Sequence, residues 1–273
     1  MGPHWTFQPF FPAVGYSDRA GIGGPAPDKY SVVREEESNV SDLEQTIRER
    51  HSTRLFLSKP VPRALVEEAL ALAVHAPSNS NIQPWHVVFA SGPPRDRLVK
   101  ALLEEAQRRP PNIPPLPESF KHFRSELGAQ VYGAMGIPRE DKAGHDTAVL
   151  RNWEFFRAPL GGIVCMHRDL GFADAIAVGM FLQTLLLALT AQGLGTCVEV
   201  SIAGYPEIIR EHLAIPAELS ILCGLAVGYE DPDFAANRLH VRRNPIEKNI
   251  IFLEGDCEPA KEGNSHDATN CLR

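Results

Sequence analysis

The stretch "AIAVGMFLQTLLLALTA", residues 175–191, constrains the fold more than any other part of the chain. It is nearly all apolar, with Gln183 and Thr184 in its middle and Asp174 just before it. Seventeen residues fall short of the ~20 that span a bilayer, and no basic flank follows. The run therefore predicts a helix buried on all sides. Either the centre of a domain core or an interface with another subunit would bury it so.

Punctuation around this helix sets the other elements. "SDLE", from Ser41, predicts a capping box, with Ser41 accepting from the first turn and Glu44 reaching back, and a helix running to about His51. "PVPRALVEEALALAVHAP" opens with Pro62 and puts Leu65, Ala69, Leu72 and Ala73 on one face, with Pro77 ending it. "WHVVFAS" predicts a strand and "PRDRLVKALLEEAQRR" a surface helix. "PPNIPPLP", residues 110–117, holds five prolines in eight residues and predicts a loop. Helical stretches are expected around 118–132 and 141–156. Then come strand "LGGIVCM", the apolar helix, strand "GTCVEV", helix "YPEIIREHL" and strand "LSILCGLAVGY". Helices alternate with strands without a repeat, which predicts a layered α+β (α/β) sandwich. The expected organisation is one domain over 41–254, with a Pro/Gly-rich tail over 1–40 and a polar tail over 255–273. "GIGGPAPD" in the first tail is no dinucleotide turn, because no strand precedes it and prolines follow.

The chain carries a net charge of -7. That balance argues against nucleic-acid or membrane partners, which need a basic face. Five cysteines, with no CxxC and no metal-type spacing, predict a reduced, cytoplasmic protein without a metal site.

Against this acidic background, "RERHSTR", residues 48–54, packs four basic side chains and two hydroxyls into seven residues. Arg50, Ser52 and Arg54 alternate, so an extended backbone points them the same way. The cluster reads either as a phosphate cradle, since guanidinium forks match phosphate oxygens, or as a solvated basic turn. A second segment, "HAPSNSNIQPWHVVF", crowds amides and hydroxyls into a turn before a strand. By itself it reads as an Asx-type turn or as a surface for a polar heterocycle.

Together the two segments resemble the FMN-dependent nitroreductase family, whose members share "RxSxR", a proline-and-helix spacer and "APSxxNxQPW". Here these read "RHSTR", "KPVPRALVEEAL" and "APSNSNIQPW", in order and at the family's spacing. "GLGTCVEV", "GYPEIIREHLAIP", "LCGLAVGY" and "RRNPIEKNIIF" extend the resemblance over about residues 41–252, towards the nitrobenzoate-reductase-like branch. The resemblance implies a nitroreductase-like fold, a mostly antiparallel central sheet flanked by helices, in an intertwined homodimer. It also implies that Arg50, Ser52 and Arg54 hold the FMN phosphate and ribityl chain, with His51 and Thr53 offering backbone contacts. Arg243 matches the C-terminal phosphate arginine. Pro77, Ser78 and Asn81 match a turn that reaches the flavin of the other subunit. Val198, Glu199, Val200 and Ser201 match the strand end passing the flavin N5 edge. The match is poorest over 110–157, a helical and loop insertion near the substrate face. There Arg151 and Asn152 are the candidates for the flavin N1/O2 side, with Arg151 alternatively a surface ion-pair partner. Phe120, Tyr132, Phe155 and Phe156 are candidates for the substrate face, or else core.

The chemistry so implied is a ping-pong cycle: NAD(P)H gives hydride to flavin N5, and a nitroaromatic or quinone-like acceptor takes it. No nucleophile elbow, HExxH or Walker loop competes with this reading. Two other classes stay open. One is a specialised flavoenzyme of small-molecule biosynthesis, an ene-reductase or dehydrogenase. The other is a non-catalytic flavin-binding protein.

Overall fold

The structure, a computed structural model, describes residues 37–252. The expected N-terminal tail up to residue 36 and the expected C-terminal tail, with Cys257 and Cys271, lie outside these residues. Helix α1 (Glu37–Glu49) crosses the boundary between two units, 1–43 and 44–273. The sheet and every later helix belong to the second unit.

Ser41 lies within α1, not at its start. The helix is already running at Glu37, and an N-cap needs non-helical backbone. Glu44 instead pairs with Arg48 one turn on, at 2.6 Å.

After α1 the order is α2 (Arg63–Ala73), β1 (Trp85–Ser91), α3 (Gly92–Arg108), α4 (Lys121–Ala134), α5 (Lys142–Leu150), β2 (Leu160–His167), α6 (Phe172–Ala191), β3 (Gly195–Glu199), α7 (Pro206–Leu213) and β4 (Leu219–Gly228). The strands pair antiparallel throughout in the order β1-β2-β4-β3. β2 and β4 are central and almost wholly apolar, because both their faces are covered.

One face carries α3 and α7, with Leu98, Leu102 and Ile209 packed on Ile163, Cys165, Cys197 and Ala226. The other carries α2 and α6, with Ala69, Ala73, Phe181, Leu185 and Leu189 on Val164, Cys223, Leu225 and Val227. Residues of β2 alternate between these two cores, as the two-residue period of a strand requires. Cys165, Cys197 and Cys223 are free thiols inside these strands. Burial pushes Cys165 up to about 11 and Cys223 up to about 12. As thiols they act as small apolar side chains.

Two expectations need correction. The α2 face that packs is Val66, Ala69 and Ala73; Leu72 is exposed. Nor is α6 buried all round within one chain. Phe172, Ala173, Ile176, Gly179, Met180 and Gln183 form an exposed stripe at helical spacing, and Phe172 is 85% exposed. Only the opposite face meets α2 and the sheet.

Residues 110–117 form a loop, as expected, between α3 and a 3-10 turn at Glu118–Phe120. Asp141 caps α5 by accepting from the Gly144 N–H at 2.9 Å. The helix expected over 141–156 stops at Leu150. Residues Arg151–Arg157 form a 3-10 segment broken by left-handed backbone at Phe155, Phe156 and Arg157. That break turns both phenylalanines into the α3-side core.

Candidate functional site

The segment after α1 runs extended along the free edge of β3. Ser52 forms a parallel bridge with Thr196, and the Thr53 N–H donates to the Thr196 carbonyl at 2.9 Å. Further along, the Leu57 N–H donates to the Tyr229 carbonyl at 2.9 Å, just past β4. The approach is close because Gly195 and Gly228, opposite each other in the β3–β4 register, lack side chains. A Cβ on Gly195 would stand 2.5 Å from Thr53 Oγ1, and one on Gly228 2.9 Å from Phe56 Cδ1.

Extended backbone sorts the segment into two faces. Thr53 is buried, and its hydroxyl donates to Glu230 Oε2 at 3.3 Å. Glu230 also meets His51 Nε2 at 2.6 Å, while His51 Nδ1 lies 2.8 Å from the Glu49 carbonyl. Asn237, 2% exposed, fastens the next residues. Its Oδ1 accepts from the Arg54 N–H at 2.6 Å, and its Nδ2 donates to the Leu55 and Asp231 carbonyls at 2.8 and 2.9 Å.

The other face is open. Arg50, Ser52 and Arg54, with His51, line a cleft of ≈ 830 Å³. Its far wall is Leu239, His240, Val241 and Arg243, and Gln183 of α6 reaches it from a third direction. Backbone carbonyls hold two of the guanidiniums: Arg54 donates to Ser52 O at 3.0 Å, and Arg243 to Val241 O at 2.6 Å. Glu49 is the acid in the lining, and its carboxylate already accepts from Gln45 at 2.7 Å. Arg48 lies on the rim, paired with Glu44. The donors, three guanidiniums and a serine hydroxyl, suit a phosphomonoester dianion.

The remaining candidates sit elsewhere in the chain. Pro77, Ser78 and Asn81 are not in the cleft lining. They belong to the turn between α2 and β1, where Ser80, Asn81 and Gln83 all have positive φ. Left-handed backbone is costly for Ser and Gln, and such strain concentrates at working sites. Ser78 Oγ accepts from the Gln83 N–H at 3.1 Å and holds the turn. Among the described residues Arg151 has no ion-pair partner; its guanidinium lies over Phe234, 5.3 Å from the ring centre. Phe155 and Phe156 are both buried in the core, with Phe155 against Gly161. Phe120 is exposed beside Phe123. Tyr132 lines a second cavity, of ≈ 980 Å³, between α4 and the start of α5.

At the end of β3, Val198 and Val200 are exposed and Ser201 half-buried, whereas the Glu199 side chain turns inward and is 3% exposed. Neither carboxyl oxygen has a hydrogen-bond partner among the described residues. Burial pushes its pKa well above 4.5, against the pull of Arg95 nearby. Burial thus favours the neutral form of the inward carboxyl.

Sequence reasoning missed Gln183, His240, Glu230 and Asn237. Gln183 had a signal, an amide in the middle of an apolar helix. The others sit in irregular segments where no periodicity marks them.

Residues 47–229 match the nitroreductase family. A 4-nitrobenzoate reductase from Nocardioides sp. (strain LMS-CY) is 33% identical over 227 residues, covering 80% of this chain and 92% of that protein. A nitrobenzene nitroreductase from Ectopseudomonas oleovorans is 32% identical, covering 77% and 96%. Among solved structures, the FMN-dependent nitroreductase NfnB from Mycobacterium smegmatis, in complex with NADPH, superposes with a TM-score of 0.73 at 29% identity, covering 78% of this chain and 99% of that one. With the fold, the cleft and these matches in agreement, the chain belongs to the nitroreductase family.

Proposed function

We propose that this protein is an FMN- and NAD(P)H-dependent oxidoreductase that reduces nitroaromatic acceptors. The observation that carries the reading is the convergence of Arg50, Ser52 and Arg54 with Arg243, from opposite ends of the described chain, on one cleft. The relatives support it: they include nitrobenzoate and nitrobenzene reductases, and a solved FMN-dependent enzyme in complex with NADPH.

In this reading Arg50, Arg54 and Arg243 hold the FMN phosphate and Ser52 the ribityl chain. His51 and Thr53 offer backbone contacts while Glu230 and Asn237 fix their strand. Val198, Glu199, Val200 and Ser201 supply the backbone edge that faces the flavin, and the buried Glu199 side chain fixes that edge from behind. The bound flavin supplies two-electron transfer between the nicotinamide and the acceptor. The chain supplies position and shelter from water rather than an acid–base pair.

The assembly is a homodimer. The exposed α6 stripe, Phe172, Ile176 and Met180, supports a second copy as its cover, because it ends at Gln183 in the cleft wall. Pro77, Ser78 and Asn81 then serve the partner's flavin, and Arg151 lies near the pyrimidine side of one of the two flavins.

A spectrum of the purified protein, with mass analysis of released flavin, tests the cofactor. NADPH oxidation with and without nitrobenzene tests the reaction. A colourless protein that binds no added FMN would remove the reading. Sedimentation showing a flavin-loaded monomer would remove the dimer alone.

A further inference from the structure

Among the described residues Glu199 is the one buried acid, and neither of its oxygens has a hydrogen-bond partner. A buried polar group left so calls for a role. We infer that Glu199 is a redox-linked proton site, whose carboxylate takes up a proton when the flavin at its strand end gains a hydride. This rests on the FMN reading above. Glu199 touches no reacting atom; it is a positioning residue that acts through its charge.

Placement is the first argument. Glu199 closes β3, while Val198 and Val200 on either side of it are exposed. The two-residue period of a strand turns its carboxyl the other way. The carboxyl thus lies behind the edge offered to the flavin, one strand's thickness from it.

The surroundings are the second. Arg95, near the start of α3, is the cation that pulls on Glu199. Its fork is spent elsewhere: Nη1 donates to Asp96 at 3.0 Å and Nη2 to the Glu154 carbonyl at 2.8 Å. Asp96 is paired with Arg95 itself, and Glu154 with Arg157 at 3.3 Å. Cys197 on β3 and Cys223 on β4 are held as uncharged thiols by burial. Gly224 stands opposite Glu199 on β4, and the Ile202 side chain fills the space over that glycine. Burial and Arg95 therefore oppose one another, with no hydrogen bond to lock either form of the carboxyl.

A group so balanced answers to further charge nearby, and buried charges are screened weakly. Hydride brings the flavin two electrons and one negative charge. The proton comes from solvent and goes to the Glu199 carboxylate. By linkage, the ionised carboxylate opposes reduction to the same extent that reduction favours the protonated carboxyl.

The test is spectroelectrochemical titration of FMN-loaded wild type and E199Q at a series of pH values rising from 4.5. The two midpoint potentials should run parallel at the acid end. With rising pH the wild-type midpoint should fall below that of E199Q, by about 30 mV for each tenfold difference in the carboxyl's ionisation constant between the two flavin states. Arg95→Gln removes the opposing charge, so the extra fall should begin at higher pH. Arg95→Lys keeps the charge and should restore it. These two variants read the same bend with Glu199 in place, should E199Q fail to fold. Lines for wild type and E199Q that stay parallel throughout overturn the inference, as does a bend indifferent to the charge at position 95. A protein that holds no FMN removes the cofactor reading and this inference together. Bound FMN with parallel lines removes this inference alone.

Discussion

The two cavities are built in opposite ways. The basic cleft is assembled from residues 47–54, Gln183 of α6 and residues 239–243, three stretches far apart in the chain. A buried polar network of Thr53, Glu230 and Asn237 holds it against the free edge of β3. The α4–α5 cavity comes from a single run, residues 115–145. Its helices bury little: Val131 alone in α4 and Ala148 alone in α5. A site that needs several distant segments is fixed by the whole fold and changes only at the cost of stability. A site made by one local run can vary without disturbing the sheet. The first arrangement suits a tightly held cofactor.

The largest expected effect probes the network. Asn237→Ala strands the Arg54 N–H and takes one of two donors from each of the Leu55 and Asp231 carbonyls. It should cost about 3 kcal/mol of stability and loosen FMN as well, read by urea unfolding of apo and FMN-loaded protein. A loss under about 0.5 kcal/mol would mean that the cradle is held by something else.

Next come the arginines. Arg50→Ala or Arg54→Ala should each weaken FMN by about tenfold to a hundredfold, from about 1.5–3 kcal/mol for a charged hydrogen bond. Riboflavin, lacking the phosphate, should bind as before, and Arg48→Ala should act as the milder control because Arg48 is paired with Glu44. Fluorescence titration decides it. Equal FMN affinity in all three would return the cleft to a solvated basic surface.

Glu199 gives a pH signature. Its folded pKa is raised, so the unfolded chain ionises first and this group removes stability as pH rises above 4.5. Glu199→Gln should therefore match wild type at low pH. Its relative stability should grow by up to about 1.4 kcal/mol per pH unit between the unfolded and folded values. Thermal melts at a series of pH values rising from 4.5 would show it, and a difference independent of pH would contradict the raised pKa of the buried carboxyl.

The smallest effect lies in the local site. Gly133→Ala adds a Cβ that meets nothing within 4 Å. It should stabilise α4 by about 0.5–1 kcal/mol and leave FMN affinity unchanged. Hydrogen exchange on α4 would register it, and a shift in FMN affinity would show that the two regions are not separable.

Much of the fold was legible. β1 follows the "WHVVFAS" run residue for residue, and β2 and β4 differ from expectation by a residue at an end, because glycines and prolines bound apolar runs there. The alternation of Arg50, Ser52 and Arg54 was legible too, since extended backbone has one simple period. Other features left no local trace. Phe155, Phe156 and Arg157 turn left-handed without a glycine to announce it. At Glu199 the strand reverses the usual pattern, with the acid inside and Val198 and Val200 outside. Arg151 found an aromatic ring rather than an acid because Phe234, more than eighty residues on, comes to it through the fold.

Gln183 belongs both to the exposed stripe of α6 and to the wall of the basic cleft. A second copy seated on that stripe would thus touch the cofactor's own housing. Binding equilibria that share a wall are thermodynamically linked: whatever factor assembly adds to cofactor affinity, the cofactor must return to assembly. Holoprotein should then stay associated at dilutions where apoprotein separates. Starvation for flavin would act on this protein twice, by emptying the site and by dissolving the surface that completes it.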